Sequence, residues 1–397
     1  MGYFTSQKHI SIYAFMLAGC SLYAGESQDQ LAANTESSTR DPSSECIRMQ
    51  EPQMVGGYNY SARDRLACPV NMYVDASFVY WQASQDDMNL AWSTNYPNGD
   101  IGGNDAFDTN LKGSSMDFDY HPGFRLGVGG FLGHDDWDLH AEYTWFHASN
   151  TKSMSVEGGA AATNGLYPSV SFPDWDGYLF NNASGKWKLQ MDIADLDLGR
   201  WYYLGTKVQL HPTIGVRGAW ISQAYNVNSI AVEGAFLNNQ AAPIRSVISQ
   251  NTHSWGVGPK VSLEGKWNLG CGFRLFGNGE ADLLYTRYTK MSFKQDMTDL
   301  LTGLPYQDGG LYYPVNISQS DISCVRTHLD LNLGLGWGTH FFSDKYKIDF
   351  TAGYEMQVFF DQNMFFSFGS SSMYGSVDTP NGNLYLQGLT ISSSFDF

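Results

Sequence analysis

From Met72 onward the chain alternates apolar and polar residues with a period of two. In residues 325–341 the odd positions include Val325, Leu329, Leu331, Leu333, Leu335, Trp337 and Phe341. The even positions carry Arg326, His328, Asp330, Asn332, His340 and glycines. Such a segment is a strand with one greasy face and one charged face. The next repeats it, with Ile348, Phe350, Ala352, Tyr354, Met356 and Val358 opposing Lys347, Asp349, Thr351, Glu355 and Gln357. Similar splits occur in 116–132, 207–221 and 253–269. In 187–203 the apolar set changes phase near Ala194, from Leu189, Met191 and Ile193 to Leu196 and Leu198, and a β-bulge there is the expected cause.

Ten strands are expected, at about 72–92, 115–133, 137–149, 187–204, 207–225, 252–268, 273–293, 323–342, 347–361 and 384–397, with short pairs in the loops able to raise the number to ~14. Short turns near 134–136, 205–206, 268–272 and 343–346 alternate with long polar loops near 93–114, 150–186, 226–251, 295–322 and 362–383. An even strand number with this alternation is the plan of a closed antiparallel transmembrane β-barrel of the bacterial outer membrane, its short turns periplasmic. Closure pairs every backbone group that lipid would leave unsatisfied. A soluble β-sandwich or propeller also alternates, but aromatic-rich greasy faces and strictly alternating loop lengths favour the barrel. The tail "ISSSFDF" puts Ile391, Phe395 and Phe397 on one face. It resembles the C-terminal signal that barrel assembly machinery reads on a last strand.

Composition narrows the class. The 397 residues include 24 Tyr, 24 Phe and 11 Trp; only 16% are charged and the net charge is −17. Ordinary chains are about 25% charged, and a nucleic-acid binder would carry a basic patch. The mean hydropathy is −0.30, and no apolar run after the N-terminus is long enough for a helical span.

At the N-terminus, Lys8 and His9 precede an apolar stretch from Ile10 to about Leu22, the form of a secretory signal peptide. Cleavage after Ala24 competes with a lipobox-like "LAGC" that would leave Cys20 acylated. Residues 25–70 read as a flexible periplasmic segment or plug, and 71–397 as the barrel. Cys46 and Cys68 both precede the first strand and form a candidate disulfide. Cys271 and Cys324 fall at opposite ends of a strand, too far apart to bond each other; each is left free or for a partner molecule.

The stretches "CPVNMYVDASFVYWQASQDDMNLAW" (68–92), "HPGFRLGVGGFL" (121–132) and "DWDLHAEYTWFHA" (136–148) resemble the Legionella-type major outer membrane protein family of pore-forming proteins, which includes porin-like proteins of chlamydia-related bacteria. The resemblance covers about 68–397 and implies a porin-like channel without catalytic residues. Cross-linking through leftover cysteines would resemble the disulfide-linked envelope of chlamydiae.

Three functions are in play. The first is passive diffusion of small hydrophilic solutes, weakly cation-preferring. Its pore-lining candidates are Asp117, Asp119, Arg125, Asp138, Glu142, Arg217, Lys260, Glu264, Lys266, Arg274, Glu280, Asp282, Arg326, Asp330, Asp349 and Glu355. The second is a plugged structural or adhesive surface barrel, in which these charges pair across strands and hold the lumen shut. The third is a barrel hydrolase, for which Asp138, His140 and Glu142 are the best local cluster, with no nucleophile motif. No cofactor, metal or nucleic acid is expected. The expected partners are outer-membrane lipid and lipopolysaccharide, the assembly machinery, and disulfide-linked envelope proteins or a second copy of the chain.

Overall fold

Four tight reversals rest on residues in the left-handed backbone region. They are Asp135 and Asp136 (φ 59° and 54°), Gly205 (80°), Cys271 and Gly272 (53° and 79°), and Phe342, Ser343 and Asp344 (52°, 57° and 60°). Glycine and aspartate tolerate that region best, and all four reversals lie where short turns are expected. The computed structural model describes residues 61–64, 66–67, 70–95, 112–133, 135–156, 164–171, 180–231, 243–308, 311–312, 314–368, 377–378 and 382–397. The signal-peptide segment, Cys46 and Cys68 lie outside them.

Between the reversals run ten long strands: β1 (Met72–Gln85), β2 (Tyr120–Phe131), β3 (Asp138–Ser155), β4 (Asn182–Gly199), β5 (Val208–Ala231), β6 (Ile244–Gly270), β7 (Phe273–Asp299), β8 (Ile322–Phe341), β9 (Tyr346–Phe359) and β10 (Leu384–Asp396). Each pairs antiparallel with the next, and β10 pairs back onto β1, closing a barrel. At the seam, Met72 and Phe397 exchange backbone hydrogen bonds of 3.3 and 3.0 Å.

Outside the barrel, Leu263, Leu333, Val261, Ile214 and Val216 are each half or more exposed. Aromatic residues bound this apolar band. Trp267, Trp337 and Phe350 stand toward the short-turn end, and Trp220, Trp255 and Tyr285 toward the other. On β6, Trp255 and Trp267 are separated by about 40 Å of strand, or roughly 30 Å of height at ~40° tilt. That matches a bilayer's hydrocarbon core.

The strands differ in length. β5 has 24 residues and β6 and β7 have 27 each, against 14 in β1 and 12 in β2. They run far into segments expected to be loops, because alternation persists there with its sense inverted. Above the band, β4 turns Lys186, Lys188 and Gln190 outward while Trp187, Leu189 and Met191 point inward and are fully buried.

This inversion corrects one expectation. β4 keeps continuous register with both neighbours, so there is no bulge at Ala194. Leu189, Met191 and Ile193 face inward and Leu196 and Leu198 outward, on one unbroken pleat. The interior changes from apolar to polar at that height, and the apolar set changes side with it. One register shift lies in β7 instead, where His253 pairs with Lys290 but Ser254 with Tyr288. Thr289 is the extra residue.

Candidate functional site: the barrel interior

At the short-turn end the lumen holds a cavity of about 380 Å³. Of the sixteen expected lumen residues, Arg125, Asp138, Glu142, Lys260, Glu264, Lys266, Arg274, Glu280 and Asp349 line it. Their contacts are mostly mutual. Arg274 pairs with Asp349, and Lys266 with Glu264 at 3.2 Å. Lys266 also stands 3.8 Å over the Trp201 ring. Asp138 accepts from Tyr73 at 3.3 Å and meets His211 at 2.8 Å.

Behind the cavity a buried ion network fills the middle of the barrel. The Arg217 guanidinium donates to both oxygens of Asp195 (2.8 and 2.6 Å), to Glu280 (2.8 Å) and to Asp282 (2.8 Å). Lys260 bridges Asp195, Asp197 and Glu280 at 3.0, 2.9 and 3.2 Å. Arg125 reaches Glu355 at 2.9 Å and Glu142 at 3.3 Å. Arg217, Asp282, Asp330 and Glu355 thus face inward as expected, within this network or beside it.

Three expected residues lie elsewhere. Asp117 and Asp119 precede β2 and are exposed. Asp117 pairs with Lys152 at 2.7 Å, and Phe118 packs inward against Trp187, 5.5 Å between ring centroids. The inversion is again the reason, since above the band it is the aromatic residue that points inward. Arg326 faces inward but sits under the segment after β9, 3.4 Å from Asp361.

The outer half of the interior is an apolar core. Trp81, Phe146, Trp187, Tyr225, Tyr288, Phe293 and Phe359 are at most 1% exposed. Leu90, Leu166 and Phe180 join them from short loop segments, and Phe365 and Phe366 from the segment after β9. The buried indoles are satisfied, Trp81 by Thr390 and Trp187 by Gln223, each at 3.1 Å. Gln250 clamps the inserted segment, accepting from Phe366 N–H at 2.7 Å and donating to its carbonyl at 3.2 Å.

A strap crosses the short-turn mouth. Ser61 bridges to Tyr202, and Ala62 N–H donates to Trp201 O at 3.1 Å. Arg63 lies 3.4 Å from Asp136 and 4.5 Å over Phe131. Lys347 donates to Asp64 at 2.6 Å, and Ala67 N–H to Asp344 O at 2.8 Å. Burial raises the Asp64 carboxyl, but Lys347, Lys266 and His340 together hold it below its usual value.

Sequence reading missed Asp75, Asp195, Asp197, His211 and the strap. Asp195 and Asp197 alternate with Leu196 and Leu198, so the period-two rule finds them. The strap has no periodicity to find. Cys271 is disulfide-bonded and so is not a free thiol. Cys324 is a half-buried free thiol packed against the core.

A family model described as Legionella pneumophila major outer membrane protein precursor matches residues 68–397. No curated protein matches the chain. Among solved structures, the Escherichia coli outer membrane protease OmpT is similar at 9% identity, over 83% of this chain and 97% of that one, with a TM-score of 0.37. A Pseudomonas aeruginosa FadL homologue is similar at 7% identity over 82% and 89%, with a TM-score of 0.26. A Thermus thermophilus major outer membrane protein is similar at 12% over 81% and 99%, with a TM-score of 0.23.

Proposed function

Because the chain belongs to the Legionella pneumophila major outer membrane protein family and is a barrel of the bacterial outer membrane, we propose that it is a surface barrel with a closed lumen, presenting long loops outside the cell. One observation carries the reading: the apolar core that fills the outer half of the interior, with its inserted segment clamped by Gln250. A hydrated diffusion path needs a polar lining along its length, and these side chains stand across it. The test is conductance in planar bilayers. The reading expects a silent protein, and steady ohmic current from every inserted molecule would overturn it.

The 380 Å³ cavity favours a second reading, a porin-like channel for small hydrophilic solutes whose outer half opens by moving that core. Nine carboxylates against six Lys or Arg line the cavity, so such a channel would prefer cations. A reversal potential favouring anions would count against it.

Neither reading assigns catalysis to Asp138, His140 and Glu142. Peptide or phospholipid turnover lost in His140→Ala would contradict both. The partners in the proposal are lipid and lipopolysaccharide around the band, and assembly machinery reading Ile391, Phe395 and Phe397. Removing Phe397 is expected to lower outer-membrane levels without lowering export; unchanged levels would end that part. A disulfide link to envelope proteins or a second copy would fall to Cys324, a free thiol, since Cys271 is already bonded.

A further inference from the structure

We propose that the lumen wall carries a divalent-metal site built from Asp75 on β1 and His140 and Glu142 on β3. One ligand atom from each lies within 4.8 Å of the other two. The strand register explains the convergence: Asp75 and Glu142 flank the same β2 residue, Gly127. A Cβ at that position would collide with His140 Nε2 and both Asp75 oxygens. Glycine therefore keeps open the space where the three side chains meet.

Across that space His140 Nε2 already stands 2.8 Å from Asp75 Oδ1. The imidazole is held by Tyr73, stacked on it with 5.6 Å between centroids, whose hydroxyl is tied to Asp138. A ring fixed in this way is oriented before any ion arrives, as metal-ligating histidines are by their outer partners.

The donor set selects the ion. One imidazole nitrogen and two carboxylate oxygens suit Zn²⁺ and similar first-row ions, whereas Ca²⁺ takes oxygen ligands. Around a tetrahedral ion with ligands at ~2.1 Å, the donor atoms stand roughly 3.4 Å apart. Asp75 and His140, 2.8 Å apart, must therefore separate by about half an ångström, and Glu142, within 4.8 Å of both, move in by at most about 1.4 Å. Glu142 is free to do so, because Arg125 keeps Glu355 at 2.9 Å and Thr144 at 3.2 Å when Glu142 leaves it. The remaining coordination position faces the cavity, whose carboxylate excess favours entry of a cation.

The test is Zn²⁺ titration of the full-length protein, folded in detergent and stripped with chelator, followed by calorimetry, with Ca²⁺ as comparator. One saturable Zn²⁺ site is expected, weakened about tenfold or more in His140→Ala and in Glu142→Gln. Heat-modifiable gel migration reports whether each variant folds. If His140→Ala does not fold, Glu142→Gln and X-ray absorption of the Zn²⁺-loaded wild type, expected to show one nitrogen and two protein oxygens, decide the matter. Absence of saturable Zn²⁺ binding, binding unchanged in the folded variants, or Ca²⁺ binding as tight as Zn²⁺ would each overturn the site.

Discussion

Arg217 shows what one side chain does for this barrel. Its guanidinium satisfies Asp195, Glu280 and Asp282 at once, in a place where water cannot replace it. Desolvation offsets much of the attraction in such a network, so the intact cluster adds little net stability. Removing one partner strands the others, at a cost of about 3–5 kcal/mol. Arg217→Ala is therefore expected to lower unfolding free energy by that order, measured by urea titration of the refolded barrel. A loss below about 1 kcal/mol, the size of an exposed pair, would mean the network is hydrated. At this scale the sequence was legible wherever the outward face met lipid, as at Leu333 and Leu263. It misled above the band, where Asp117 and Phe118 exchange the directions that a lipid-facing pattern assigns.

Among the elements, the ten strands were legible because period-two alternation survives in each. Their outer ends were not. Polar outward residues on β5, β6 and β7 look like loop when the core on their other face is out of view. The supposed bulge at Ala194 has the same origin, since a change of solvent imitates a change of register. The strap is a different case. Residues 61–64, 66 and 67 follow no period, and only the folded mouth gives them partners. Their dependence on acid follows from Asp64. Its carboxyl is depressed in the folded state, so its contribution is complete above the unfolded value near 3.8 and is lost as pH falls through the lower folded value. Protease cleavage near Arg63 should therefore rise only in strong acid for the wild type. In Asp64→Asn it should be raised equally at neutral and acid pH. Equal, low cleavage of both proteins at neutral pH would show that Lys347 does not hold the strap.

Across the whole molecule, three zones are stacked along one axis: a polar cavity, an ion network and an apolar core. The lower wall is turned inside out relative to soluble proteins, and the upper wall is not. The uneven strand lengths also say something about time. β6 and β7, 27 residues each, are joined by the turn at Cys271 and Gly272 and can zip locally. The seam of β1 and β10 joins residues about 300 apart in sequence, from Gln85 with Leu384 to Tyr73 with Asp396. Loop-closure entropy is met early for the hairpin and late for the seam. In pulsed amide-exchange labelling during refolding, Leu263 should gain protection before Leu389, whose amide faces Tyr80 across the seam. The reverse order would mean that the ends of the chain meet first, and that the tallest part of the wall is raised on a ring already closed.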